Sequence, residues 1–190
     1  MMGFSPVTVK ESPVASSTGK NLTGNPRIAR DIIADVYNTL QKWNDINIEG
    51  CKIVKEIAII KGNNSKNYSD ELEILTRELS KLVQKCSLVL EEISIYYDRM
   101  LALKKLDKEE SPLFMSLSVD RMTKMIQVIQ EAYLNELKNK RKVVENIAHS
   151  DCDNVAIFFA ALWTYQIDLT SEVTTYLEAL LTESGHRKIV

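Results

Sequence analysis

From Leu72 onward the apolar residues recur in alternating steps of three and four: Leu72, Leu75, Leu79, Leu82, Cys86, Val89, Ile93, Tyr96, Met100 and Leu103. An apolar a/d seam sustained over about four heptads predicts a single helix on the order of 50 Å long, and such a seam must face another helix. Ser69 and Asp70 precede it with oxygens suited to capping its first turn. Leu88, Leu90, Tyr97 and Leu101 widen the apolar face toward the far end. Upstream, Asn25-Pro26 reads as a helix start, followed at helical spacing by Ile28, Ile32, Val36, Leu40 and Trp43. The pattern thins between Asn44 and Gly50, where a kink is expected, then resumes with Val54, Ile57 and Ile60 and stops at Lys61-Gly62-Asn63-Asn64. The cheapest partner for the seam is this first helix folded back against it, although the same stripe could pair with another subunit.

Downstream, Ser111-Pro112 breaks the charged stretch that begins at Lys104 and introduces a short apolar hook, Leu113-Phe114-Met115. A third helix is expected over 119–148, with Met122, Met125, Ile126, Ile129, Tyr133, Leu137, Val144 and Ile147 inward. Two shorter helices follow. One carries Val155, Phe158, Phe159, Leu162 and Trp163 after the cap candidates Asp151 and Asp153; the other carries Val173, Tyr176, Leu177, Leu180 and Leu181 and closes at Gly185. The fold class is therefore all-α: a long antiparallel coiled-coil hairpin or helical bundle with a compact C-terminal helical segment. Residues 1–25 show no helical or alternating period and read as a disordered tail, 26–106 as the hairpin, 107–118 as a linker and 119–188 as the C-terminal module.

Composition narrows the function classes. The chain of 190 residues is 45% hydrophobic, and its 24 basic residues against 26 acidic ones leave a net charge of -2, so no overall field gathers nucleic acid or anionic lipid. Direct nucleic-acid binding is not expected, and no apolar run is long enough to cross a bilayer. Cys51, Cys86 and Cys152 lie far apart without a CxxC pair, which fits reduced thiols. There is no glycine-rich phosphate loop, HExxH or GxSxG, so no catalytic residue, cofactor or metal is assigned. His149, at a helix end, and the capping aspartates after it read as structural rather than as ligands. Lys138, Lys140, Arg141 and Lys142 read as a solvated helix face.

Several residues carry a likeness to a known family. In the first helix these are Asn38, Leu40, Lys42-Trp43, Asn47 and Gly50, and after the break Pro112-Leu113-Phe114. Toward the end they are Tyr133, Glu136-Leu137, Lys140-Arg141, Val143 and Ala148-His149, then Trp163, Gln166, Leu177-Glu178, Leu181, Glu183 and Gly185-His186-Arg187. In order and spacing they resemble the cyclin-dependent kinase 2-interacting protein family across about two-thirds of the chain, the seam matching by heptad character alone. The resemblance implies a nuclear adaptor, with the cytoplasm as a second compartment, acting in replication, checkpoint signalling and ribosome biogenesis. The implied partners are a cyclin-dependent kinase, a second replication kinase, an ATR-interacting protein and an AAA-family ATPase complex with another small coiled-coil subunit.

The leading reading is thus a non-enzymatic adaptor; the alternative is a structural coiled-coil component of a tether or cytoskeletal complex. Candidate partner-binding residues are Leu79, Leu82 and Tyr96 on the seam helix and Trp163, His186 and Arg187 in the C-terminal module. His186 and Arg187 lie beyond Gly185, so their replacement is expected to leave folding nearly intact. The seam itself is expected to be essential: Leu79→Asp or Leu82→Asp places a charge in a helix interface and should lower the unfolding free energy by several kcal/mol. A double variant that keeps full helicity and normal melting would exclude the seam from the fold.

Overall fold

A computed structural model describes residues 22–63, 69–107, 111–150 and 152–187. The expected tail falls almost wholly on 1–21, outside the described residues, as does Asp151. Among the described residues there are five α-helices and no strand, so the chain is all-α. They are α1 (Asn25–Asn63), α2 (Asp70–Leu106), α3 (Val119–Asn146), α4 (Asp153–Tyr165) and α5 (Ser171–Glu183), with a 3-10 turn at Ile147–His149 between α3 and α4. No helix here is long and apolar enough to cross a membrane.

The helix ends follow from local chemistry. Ser69 caps α2 by accepting the Leu72 backbone N–H at 3.2 Å, and Asp70, Glu71 and Glu73 place negative charge at the positive end of the helix dipole. Ser118 serves α3 similarly, its hydroxyl accepting from the Arg121 backbone at 3.5 Å. At α4 the cap position falls on Cys152, which makes no side-chain cap bond. At the end of α5, Gly185 adopts φ +75, and the backbone N–H groups of Gly185 and His186 donate to the carbonyls of Thr182 and Leu181. That is a Schellman closure at the expected glycine.

The chain divides into two compact units. The first draws on Met1–Gln41, Glu92–Glu131 and Thr170–Val190, the second on Lys42–Glu91 and Ala132–Leu169, so both take segments from 26–106 and from 119–188. In the first unit α1 buries Ile32, Ile33, Val36, Tyr37 and Leu40, and α2 buries Ile93, Met100 and Leu103. Asp35 pairs with Arg99 at 3.4 Å and Thr39 donates to Glu92 at 3.3 Å. Position rises along α1 as it falls along α2, the sense of an antiparallel pair. Ile28, expected on the inner face, is exposed, whereas Ala29 and Ile33 are buried.

Two straps complete this unit. The Glu183 carboxylate of α5 accepts the backbone N–H groups of Met115, Ser116 and Leu117 at 3.0–3.3 Å and the Ser116 hydroxyl, fixing the hook to α5. Burial pushes the Glu183 carboxyl up, but these hydrogen bonds outweigh it and hold the group below its ordinary value. At the chain end, Arg187 lies 5.7 Å from the Tyr37 ring centre, donates to the Tyr37 hydroxyl at 3.4 Å and pairs with Glu178 at 3.1 Å. A His186 ring nitrogen lies 3.0 Å from the Arg30 carbonyl oxygen. These contacts run against the expectation that replacing His186 and Arg187 leaves folding nearly intact, since both residues reach α1.

In the second unit α2 buries Leu72, Leu75, Leu79, Leu82, Cys86 and Val89, all seam positions, among residues of the same chain. Of the seam positions in the first unit, only Tyr96 is merely half-buried. Helix α1 runs unbroken through Gly50. The glycine answers a packing demand instead: a Cβ at Gly50 would overlap the Trp163 indole.

The chain-end strap is testable in the intact chain. His186→Ala with Arg187→Ala should lower the unfolding free energy by about 1–2 kcal/mol, through the lost cation–π contact, ion pair and hydrogen bonds. Urea unfolding measures it; a change within about 0.5 kcal/mol, the range of an indifferent surface site, would show that the strap does not support the fold.

Candidate functional site

The second unit is organised around a charge that the basic-cluster reading placed in solvent. Lys138 and Lys142 are exposed, and Arg141 reaches the Ser87 hydroxyl at 3.3 Å from an exposed position. Lys140, however, has no exposed side-chain surface at all, nor has Glu136 one turn earlier. The reason is periodic. Ile129, Tyr133, Glu136, Lys140, Val143 and Ile147 advance by alternating steps of four and three, so both charged residues stand on the inward stripe of α3. Val143, rather than the expected Val144, is the buried member of that row.

Lys140 Nζ donates to Asn47 Oδ1 at 2.7 Å and to the Trp163 backbone carbonyl at 3.3 Å. It sits 4.2 Å from the Trp163 ring centre and 5.7 Å from that of Trp43, an ammonium between two fully buried indoles. Glu136 Oε1 faces it at 3.8 Å without a hydrogen-bond donor of its own. Glu136 Oε2 accepts the Asp168 backbone N–H at 3.3 Å, and Asn139 donates to Asp168 at 2.6 Å. The indoles are satisfied too: Trp163 Nε1 donates to the Asn47 carbonyl at 3.3 Å and Trp43 Nε1 to Gln166 Oε1 at 2.7 Å. Gln166 closes α4 in the left-handed region, φ 47. Tyr133 meets Trp43 edge-on at 5.1 Å. One cation thus ties α1, α3 and α4 together.

Burial dominates the electrostatics. It pushes the Lys140 ammonium down to about 8, although Glu136 and then the Cys86 and Cys51 thiols pull the other way. It pushes the Glu136 carboxyl up, against the opposing pull of Lys140. The buried Cys86 thiol is raised to about 12 and the Tyr133 phenol is raised as well, so neither supplies a nucleophile or base near neutrality. Among the described residues no group of three or more His, Cys, Asp and Glu could hold a metal ion.

The candidate partner-binding residues divide by burial. Leu79, Leu82 and Trp163 are interior, and only Tyr96, His186 and Arg187 retain surface. Asn47, Gly50, Tyr133, Glu136, Lys140, Trp163 and Gln166, on which the family likeness was noted, meet in the cluster described above. Glu178, Glu183, His186 and Arg187, noted with them, form the two straps of the first unit.

Comparison with curated proteins finds relatives along most of the chain. The chain is 26% identical over 195 residues to the cyclin-dependent kinase 2-interacting protein of Bos taurus, covering 87% of this chain and 92% of the relative. It is 24% identical to the Homo sapiens protein, covering 88% and 93%, and 23% identical to that of Mus musculus, covering 96% and 97%. The chain resembles the cyclin-dependent kinase 2-interacting protein family over nearly its whole length. No protein-family model matches it. In this chain the residues of the Lys140 cluster and of the two straps are each engaged in a named contact rather than scattered on the surface.

Exposed apolar surface gathers on α4 and the end of α1. Between Asn154 and Tyr165 α4 carries no charged side chain. Its inward face supplies Ala156, Ala160 and Trp163, while Val155, Ile157, Phe158 (59% exposed) and Tyr165 (78%) face solvent. Phe158 meets Phe159 at 5.5 Å. Ile157 and Tyr165, together with Ile59, border an open groove.

The buried cation makes two linked predictions. Lys140→Met strands Glu136 and Asn47 and should cost about 3–5 kcal/mol, most of it recovered by adding Glu136→Leu. For the parent chain, an unfolded lysine near 10.5 binds its proton more firmly than folded Lys140 at about 8, so stability rises with pH through this group. The lysine alone should add about 1 kcal/mol between pH 8 and 9, and the unfolded Cys86 thiol, which titrates near 9 while the folded one does not, offsets about half of it over the same interval in both proteins. Urea midpoints of parent and Lys140→Met over that interval should diverge; parallel curves would exclude Lys140 as the titrating group.

Proposed function

We propose that this chain is a non-enzymatic adaptor that binds a cyclin-dependent kinase through the half-exposed helix α4, which is uncharged from Asn154 to Tyr165. The observation that carries the reading is the coexistence on one short helix of a fully buried Trp163 and exposed Ile157, Phe158 and Tyr165. A helix apolar on all sides needs cover on all sides, and the chain covers only one. Aromatic side chains on such a face are the residues that most often anchor protein interfaces. The names of the relatives, each a cyclin-dependent kinase 2-interacting protein, support the choice of partner.

The same reading extends to the other partners that the resemblance implies: a second replication kinase, an ATR-interacting protein and an AAA-family ATPase complex, with roles in replication, checkpoint signalling and ribosome biogenesis in the nucleus. A tether is supported less well, because the seam is buried within the chain instead of being held open for a second one. The raised Cys86 and Tyr133 side chains support a role without catalysis.

Calorimetry with purified cyclin-dependent kinase 2 tests the proposal. Phe158→Ser should leave stability within about 0.5 kcal/mol of the parent, since the ring is mostly in water, yet weaken binding about tenfold or more. Absence of binding by the parent, or equal binding by the variant, would overturn the assignment to α4.

A further inference from the structure

The groove beside α4 has a form that specifies its occupant more narrowly than exposure alone. Its volume is about 460 Å³, and α1 contributes Lys55, Ala58 and Ile59 to its walls while α4 contributes Ile157, Ala160, Ala161, Thr164 and Tyr165. Small side chains at Ala58, Ala160 and Ala161 leave room for another backbone to approach closely, between taller walls at Ile59, Ile157 and Tyr165. The Thr164 hydroxyl donates its proton to the Ala160 carbonyl at 2.7 Å, so it has no proton left to donate to a ligand. From Ile157 to Tyr165 the wall advances about 12 Å, rather more than two helical turns. An apolar channel of that length between two helices fits the apolar stripe of a third, not an extended polar peptide.

Charge fixes the flank of that occupant. Lys55 is the only charged residue on the groove wall, is exposed, and has no ion pair among the described residues. A second copy docked α4 to α4 would bring no carboxylate from its uncharged Asn154–Tyr165 stretch to meet Lys55. We infer that the α1–α4 groove receives an amphipathic helix of a partner protein, apolar along one face and acidic on the flank that lies beside Lys55. This rests on the adaptor reading above and adds the secondary structure, pattern and charge of the element that is bound.

Two synthetic helical peptides of roughly 18 residues, about five turns, serve as probes; both carry a leucine and alanine stripe, with glutamate flanks in one and lysine flanks in the other. Fluorescence anisotropy with the full chain should show tighter binding of the glutamate peptide. Lys55→Glu, a surface change, should weaken that peptide about fivefold and improve the lysine peptide, because an attraction becomes a repulsion. Ala161→Leu, which narrows the groove, should weaken both, while Ile74→Ser, at an exposed apolar site off the groove, should change neither. The inference is overturned if the parent binds neither peptide, if Lys55→Glu leaves the preference unchanged, if a proline-interrupted peptide binds as tightly, or if sedimentation shows the chain self-associating through α4. The kinase is absent from this assay, so failure here tells against the groove, and failure of kinase binding tells against the adaptor reading.

Discussion

A lysine ammonium withdrawn from water must be compensated from several directions at once, and in the second unit that need fixes the positions of three helices. Lys140 takes a side-chain oxygen from α1, a main-chain oxygen from α4, a carboxylate from its own helix and the faces of two indoles. Any one of these alone would leave the charge under-compensated, because the desolvation penalty of a buried ion exceeds what a single contact returns. Gly50 belongs to the same constraint: the indole that covers Lys140 stands where a side chain at position 50 would be. An apolar pair in place of the ion pair would be nearly as stable, so the physical product of the charges is geometry, with α4 held in one place.

Holding α4 by one face matters because its other face is apolar as well. A free helix with exposed Ile157, Phe158 and Tyr165 would collapse onto whatever apolar surface it met. Anchored by Trp163, it presents those side chains in a fixed arrangement, which lowers the ordering entropy lost when a partner binds. The interior charge and the exterior groove are thus two consequences of one helix, and the first makes the second specific. In the first unit the same logic runs through hydrogen bonds: Glu183 gathers three backbone donors of the hook, and Arg187 lies on Tyr37.

Much of this was legible in the sequence. The seam positions of α2 other than Tyr96 are buried at their expected spacing, α1 begins at Asn25-Pro26, Ser69 caps α2 and Gly185 closes α5 as the residue types require, and the described residues are all-α. These features depend on local backbone chemistry and on a period of 3.6 residues, both of which a sequence carries directly. The register of Glu136 and Lys140 was also present in the chain, on the same alternating steps as Tyr133 and Val143. It was misread because lysine and glutamate are so seldom fully buried that their type outweighed their position.

Other features depended on residues distant in sequence. Nothing near Gly50 announces Trp163, and nothing near Gly185 announces Tyr37, so the glycine read as a kink and the terminal arginine as a loose anchor. Which of the C-terminal rings fills the core and which faces solvent was likewise a matter of tertiary packing: Phe158 and Trp163 lie five positions apart on one helix and meet opposite environments. Periodicity states which residues share a face. Only the packed structure decides which faces are covered, because that depends on side-chain volume and charge brought together from more than a hundred residues away.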